Sequence, residues 1–430
     1  MRSTLPHSVS ARRRSLSYAY VITGACFSIQ AIGIGCYISF GVFFNPIIAE
    51  FGWSRAMLSG AQSLAFLLMG FLGIFVGRLN DKVGPRRMMA VTGVFFGLGY
   101  LLMSRVGAVW QLYLFYSLVF GIGLSAVDVI PLSTTARWFV RRRGIMTGIV
   151  KVGTGAGQLT VPLVASLLIT HYGWRTAYTI LGVGALLLLV SIGQLLRRDP
   201  AEMGLPGDAD TPAVGNRPRP LALGLSADRA LRTRQFWTLC GVCLASVYCL
   251  LTVMVHIVPH ARDFMASPAA AGVLATIGGV SMAGRFGVGM VIDRIGSKRS
   301  MLLSFGLLTI SLLWLQAARE AWMLYAFALM YGVAHGGFFT SLSPIVAEHF
   351  GLRAHGTLFG MVTFCGNVGG AVGPFLAGYI FDVTGAYRLA FWTCVGMSVL
   401  GLALLASVKP ISDSEMENNR GVGDRPTACE

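Results

Sequence analysis

Twelve apolar runs, each 18 to 27 residues long, govern what this chain can fold into. They lie at about 18–44, 56–76, 88–106, 110–133, 144–170, 176–196, 236–258, 269–292, 300–317, 322–346, 356–381 and 388–408. About 20 apolar residues is the length at which an α-helix crosses the hydrocarbon core of a bilayer. Little in the rest of the sequence offsets these runs. Of 430 residues, 34 are Lys or Arg and 18 are Asp or Glu, 12% in all, and mean hydropathy is +0.68. A soluble domain carries about 25% charged residues, so a soluble enzyme, a secreted disulfide scaffold and a disordered chain are excluded. Barrel strands alternate in short pieces, unlike these continuous runs. Helices are then the remaining way to satisfy backbone amides in lipid. The expected fold is an all-α membrane protein of twelve transmembrane helices in two pseudo-symmetric six-helix bundles.

The basic residues orient it. With the N-terminus in the cytoplasm, 26 of the 34 Lys and Arg fall on the inner side, 6 in outer loops, and Lys151 and Arg285 inside apolar runs. Positive residues favour the cytoplasmic face, so both termini are placed there, in a bacterial cell (inner) membrane. The expected organisation is a cytoplasmic tail at 1–17, a bundle at 18–196, a Pro-, Gly- and Arg-rich cytoplasmic linker at 197–235, a second bundle at 236–408 and a polar, disordered tail at 409–430. The first apolar run lacks a small-x-small cleavage site and is read as a retained helix. The net charge of +16 does not indicate nucleic acid, because the basic residues sit in small clusters between the spans. Seven of the eight cysteines fall inside apolar runs; Cys240 and Cys243, spaced like a redox pair, are read as packing.

The chain repeats itself. Gly77-Arg-Leu-Asn-Asp81-Lys-Val-Gly84-Pro-Arg86-Arg87 recurs as Gly289-Met-Val-Ile-Asp293-Arg-Ile-Gly296-Ser-Lys298-Arg299, an offset of 212. The same offset carries Gly144, Gly148, Pro162 and Gly173 onto Gly356, Gly360, Pro374 and Gly385. Two copies of a six-helix unit related about the membrane normal are a transporter architecture, with the substrate site between them near mid-membrane. The glycines of the loop allow a tight turn. Asp81 and Asp293 suit a helix end with basic residues nearby. Gly77, Asp81, Gly84, Arg87, Gly289, Asp293, Gly296 and Arg299 are therefore expected to form a gate and not to bind substrate.

That doubled loop in a six-plus-six chain resembles the major facilitator superfamily over nearly the whole length. Arg137-Trp-Phe-Val-Arg-Arg-Arg-Gly144-Ile-Met-Thr-Gly148, Gly153-Thr-Gly155-Ala-Gly157 and Gly173-Trp174-Arg175-Thr-Ala-Tyr178 resemble its monocarboxylate and oxalate–formate branch. The resemblance implies transport of small organic anions, with a proton or by exchange. It also matches Arg285, in Gly284-Arg285-Phe-Gly287, to the substrate-carboxylate arginine of span 8. The chain departs from the branch at Ser281, where an Asp is usual, at Ile38, where span 1 usually has a Lys, and at Cys365-Gly366-Asn367, where the oxalate carrier has a Lys.

Ionisable residues inside a membrane are costly and functional by default. Here they are Asp128, Lys151, Arg285 and His335. Asp128 lies nine residues before Arg137, and Lys151 eight residues after Arg143. At 1.5 Å per residue both are roughly 12–13 Å deep, on neighbouring antiparallel helices, so they are expected to form an ion pair. That pair is either a permanent lock or a switch opened by proton or substrate. Arg285, at similar depth, has no evident acidic partner. It suits a carboxylate held in a bidentate fork. His335 is a packing residue, a proton carrier or a substrate donor. Asn367, Gln158, Gln62, Tyr37, Tyr248 and Tyr331 are candidate cavity donors, or bond across helices. His256 and His260 flank Pro259, expected to break the helix, and make a poor metal site. The glycine run 153–157 follows no strand and is not a nucleotide loop.

The sequence is thus read as a carrier of a small organic anion, most simply a monocarboxylate, by proton symport or antiport. It needs no cofactor or metal, binds no nucleic acid, contacts membrane lipid and acts as a monomer. A multidrug exporter on the same fold and a non-transporting sensor are the rivals.

Overall fold

The structure is a computed structural model that describes residues 6–203, 224–261 and 267–408. The expected tail at 409–430 and most of the linker lie outside the described residues. Twelve long helices run through the rest. They are α1 (Pro6–Phe51), α2 (Arg55–Val83), α3 (Pro85–Met103), α4 (Val109–Trp138), α5 (Arg143–Tyr172), α6 (Trp174–Gly193), α7 (Arg234–Ala261), α8 (Ser267–Ile295), α9 (Ser297–Ala317), α10 (Ala321–Phe350), α11 (His355–Thr384) and α12 (Arg388–Ser407). No strand occurs among the described residues; Gly224 makes an isolated bridge to Gly351, seating the linker's end on the second half.

Eleven of these helices are long and apolar enough to cross a membrane. The exception is α3, with 19 residues and Arg86 and Arg87 in its first turn; it fills the place of the expected third span. Two other boundaries differ from expectation. Helix α1 starts at Pro6, inside the segment read as a tail. Helix α7 continues through Pro259 to Ala261, where a break was expected. Pro259 cannot donate to the carbonyl four residues before it, and the helix ends two residues later, at Ala261.

Each half folds alike. Within the first, α1 packs on α5 and α3 on α6; within the second, α7 packs on α11 and α9 on α12. The offset of 212 also appears in the turns: Gly84 (φ 94°) and Gly296 (φ 87°) both take the positive φ that suits glycine. The halves meet where α2 crosses α11 and α5 crosses α8. The exterior is apolar: Leu159, Leu163 and Leu167, one turn apart on α5, are 63, 60 and 62% exposed. A soluble surface does not carry such a stripe, and lipid explains it. Exposed Trp110, Tyr172, Trp237 and Trp322 sit at helix ends, where amphipathic rings favour the headgroup level.

Helix α4 is irregular where it matters. Residues Tyr113–Phe120 form a π-helical stretch, and the α-helix is interrupted again at Ser125, whose hydroxyl bonds to the Ile122 carbonyl at 2.6 Å. Extra turns of this kind often mark functional sites. Asp128 lies just beyond, in the segment Ala126–Trp138.

Candidate functional site

A cavity of about 290 Å³ lies between the halves, with lining residues on α1, α2, α4 and α5 of the first and α7, α8, α10 and α11 of the second. The four intramembrane ionisable residues all line it, as do Tyr37, Gln158 and Asn367. Gln62, Tyr248 and Tyr331 do not. The Tyr248 hydroxyl pairs with Thr393 Oγ1 at 2.8 Å. Tyr331 is fully buried and donates to the Leu250 carbonyl at 2.7 Å. These two tyrosines, expected among the cavity donors, tie α7 to α12 and α10 to α7 instead.

The expected ion pair is present. Lys151 Nζ lies 2.5 Å from Asp128 Oδ1. Lys151 is 5% exposed and its ammonium stands 5.8 Å from the centre of the Phe339 ring, a favourable cation–π distance. Gln30, not among the candidates from the sequence, completes the cluster. Fully buried on α1, it donates from Nε2 to Asp128 Oδ1 and to the Val127 carbonyl, both at 2.8 Å. Its Oε1 accepts from Thr154 at 2.7 Å. One amide thus joins three helices, and each of its bonds satisfies a polar group that lipid could not. The signal was available: Gln30 is the one side-chain amide in the run 18–44.

Arg285 is 4% exposed. Its Nη1 donates to the Lys151 backbone carbonyl at 2.8 Å, across the halves, while its Nε has no partner. Among the described residues it forms no ion pair. A buried guanidinium with an unmet donor is expensive, and an anionic ligand relieves that cost. Ser281, one helical turn before it, bonds His335 Nδ1 at 2.8 Å. The position where the branch usually has an Asp therefore serves here to hold an imidazole. Asn367 donates to the Phe66 carbonyl at 3.1 Å, again across the halves.

The doubled loop motif ties the two halves together. Asp81 accepts from the backbone amides of Gly356 (3.2 Å) and Thr357 (2.9 Å), capping the start of α11 in the opposite half. Asp293 does the same for α5, accepting from Gly144 (2.7 Å) and Ile145 (3.0 Å). The two caps obey the offset of 212 residue for residue. A carboxylate at a helix N-terminus meets orphan N–H groups and the positive end of the dipole. Asp81 was expected to pair with nearby basic residues; its ion pair is instead with Arg137 on α4, at 2.6 Å. Arg87 and Arg299 are exposed. Their neighbours do the tying: Arg86 bonds Gln194 at 2.7 Å, and Lys298 bonds the Val408 carbonyl at 2.5 Å.

Glycines make these crossings possible. A Cβ on Gly356 would lie 2.9 Å from the Gly77 carbonyl oxygen, and one on Gly144 would lie 2.5 Å from that of Gly289. Gly356→Val is therefore expected to wedge α2 from α11 and loosen the Asp81 cap. Hydrogen exchange at the amides of residues 356 and 357 should rise by about tenfold or more, because protection there depends on the closed contact. Unchanged exchange would show that the glycine crossing does not hold the halves together.

The comparisons with known proteins agree with this architecture. The model of the Major Facilitator Superfamily matches residues 23–260 and 248–429. Monocarboxylate transporter 13 of Bos taurus is 29% identical over 395 residues, covering 91% of this chain and 89% of that protein. Monocarboxylate transporter 11 of Homo sapiens is 28% identical over 387 residues, covering 87% and 79%. Among solved structures, the human organic anion transporter MFSD10 (TETRAN) superposes with a TM-score of 0.67 at 18% identity, covering 92% of this chain and 99% of its own. At that identity the likeness is one of fold. All three are transporters, and none is an enzyme.

Proposed function

The chain belongs to the major facilitator superfamily, and on that premise we propose that it carries a small organic monoanion, a monocarboxylate, across the membrane by alternating access. Arg285 carries the proposal. It lines the cavity, is nearly inaccessible, holds an unpartnered Nε and has no ion pair among the described residues. A carboxylate would meet a guanidinium edge of this kind through two parallel charge-assisted hydrogen bonds. With Lys151 neutralised by Asp128, one cation remains for the substrate, which favours a monoanion over a dianion. The relatives named as monocarboxylate transporters support the same class.

Asp128 is the coupling residue in this proposal. Lys151 and Gln30 both donate to Oδ1, and the side chain keeps 20% of its surface on the cavity side. Oδ2 is the oxygen left to take a proton. Protonation there would weaken the pair, release the Lys151 ammonium and make the cavity more attractive to an anion. That order gives proton symport; exchange of one anion for another leaves Asp128 ionised throughout. Transport further requires the Asp81 and Asp293 caps to part, opening the cytoplasmic end where the basic loops lie. One chain encloses the whole cavity, so a monomer suffices.

Counterflow in proteoliposomes tests the class. Vesicles are preloaded with carboxylates, dicarboxylates, sulfonates or neutral amides of matched shape, and exchange against a labelled monocarboxylate is followed. Monocarboxylates should drive exchange and their amides should not. Exchange driven equally by amides and cationic drugs would point to an exporter of broad range, and binding without flux to a sensor.

A further inference from the structure

Most of the charged and polar side chains on the cavity wall are already bonded to one another or to backbone, which leaves few for a hydrophilic substrate. Lys151 is paired with Asp128, Thr154 is bonded to Gln30, Ser281 to His335, and Asn367 to the Phe66 carbonyl. Among the lining residues, Arg285 Nε and Thr363 Oγ1 are the buried atoms without a hydrogen-bond partner, and no hydrogen bond engages the exposed Gln158 amide or the Tyr37 hydroxyl. The rest of the lining is apolar, with Tyr37 stacked on Phe66 (6.2 Å between ring centres) and with Leu251, Met254, Ile277 and Phe359. A hydroxyl-rich or doubly charged solute would bury polar groups without partners there, which is costly. The volume adds a second constraint. At the liquid share of about 30 Å³ per water, 290 Å³ holds about ten water-sized groups. A two- or three-carbon acid, with about four to six non-hydrogen atoms, would leave about half of that space to water against apolar walls.

We infer that the substrate is a monocarboxylate with an apolar body, aromatic or branched, of about ten non-hydrogen atoms in all, with its carboxylate on Arg285 and its body against the Tyr37–Phe66 stack. This rests on the proposed role of Arg285 as the carboxylate anchor, and adds the part of the ligand that the arginine does not touch.

Gly278 provides the test. It lines the cavity, and a Cβ built on it meets nothing within 4 Å. A side chain there starts in open space, so Gly278→Leu is expected to take up part of the cavity. Binding of acetate, 3-methylbutanoate, phenylacetate and phenylacetamide is measured by calorimetry on the full-length protein in nanodiscs, with empty nanodiscs subtracted. Affinity should rise by about tenfold or more from acetate to phenylacetate, since even one methylene in an apolar pocket is worth about that much. Phenylacetamide should not bind. Gly278→Leu should weaken phenylacetate by about tenfold or more and leave acetate within about twofold. Equal affinity for acetate and phenylacetate in the unaltered protein would overturn the inference and leave the anion carrier standing. Phenylacetamide binding as tightly as phenylacetate would instead remove the carboxylate anchor itself. A poorly folding Gly278→Leu protein leaves the ligand series in the unaltered protein as a sufficient test.

Discussion

Arg285→Lys is expected to fold normally yet lose monocarboxylate uptake by about a hundredfold. The substitution keeps a positive charge at the same depth, so long-range attraction of the anion survives. What it removes is the fork. In the present arrangement Nη1 is committed to the Lys151 carbonyl, and Nε is unpartnered. An ammonium presents no planar edge to a carboxylate and would be drawn to that same backbone carbonyl. Losing one charge-assisted hydrogen bond costs about 1.5–3 kcal/mol, and each 1.4 kcal/mol is a factor of ten. Initial uptake rates in proteoliposomes, matched for reconstituted protein, give the measurement. Wild-type rates in Arg285→Lys would assign the residue to bracing α8 against α5, and the substrate would have to be held elsewhere.

Much of this arrangement was legible in the sequence, for identifiable reasons. Apolar run length fixed the spans because lipid imposes one thickness on every helix. The third was the hardest case, since α3 begins with two arginines that belong to the loop motif. Depth was legible too. Counting 1.5 Å per residue from Arg137 and Arg143 brought Asp128 and Lys151 to one level, and their atoms do meet. How far the cavity extends along each helix was not legible. Tyr331 and His335 are one turn apart on α10, but only His335 lines the cavity, while Tyr331 turns to the Leu250 carbonyl. The caps show a related limit. The sequence offset equated Asp81 with Asp293, but which helix each would cap depends on how the two repeats face each other. Gln30 is not legible by charge. Its amide carries none, yet it fixes the position of the carboxylate that does.

The pair of Asp128 and Lys151 should be strongly non-additive. Lys151→Gln leaves the Asp128 carboxylate with Gln30 as its main donor, and Asp128→Asn leaves a buried ammonium facing a neutral amide. Removing one partner of a buried pair costs about 3–5 kcal/mol, because the other charge remains without compensation. The lower end applies here, since Asp128 retains access to the cavity. The double substitution removes both charges of the pair and leaves two amides able to bond each other and Gln30, so its thermal stability should return most of the way to wild type. Stability alone does not separate a lock from a switch; uptake does. A lock predicts that the double variant transports as it folds, with the same response to an inward proton gradient. A switch predicts recovered Tm but uptake that no longer accelerates with the gradient, because the protonatable oxygen is gone. The geometry favours the second result: both fixed donors of Asp128 reach the same oxygen, leaving the other for a proton. Independent effects of the two single substitutions on both stability and uptake would dissolve the pair as a functional unit.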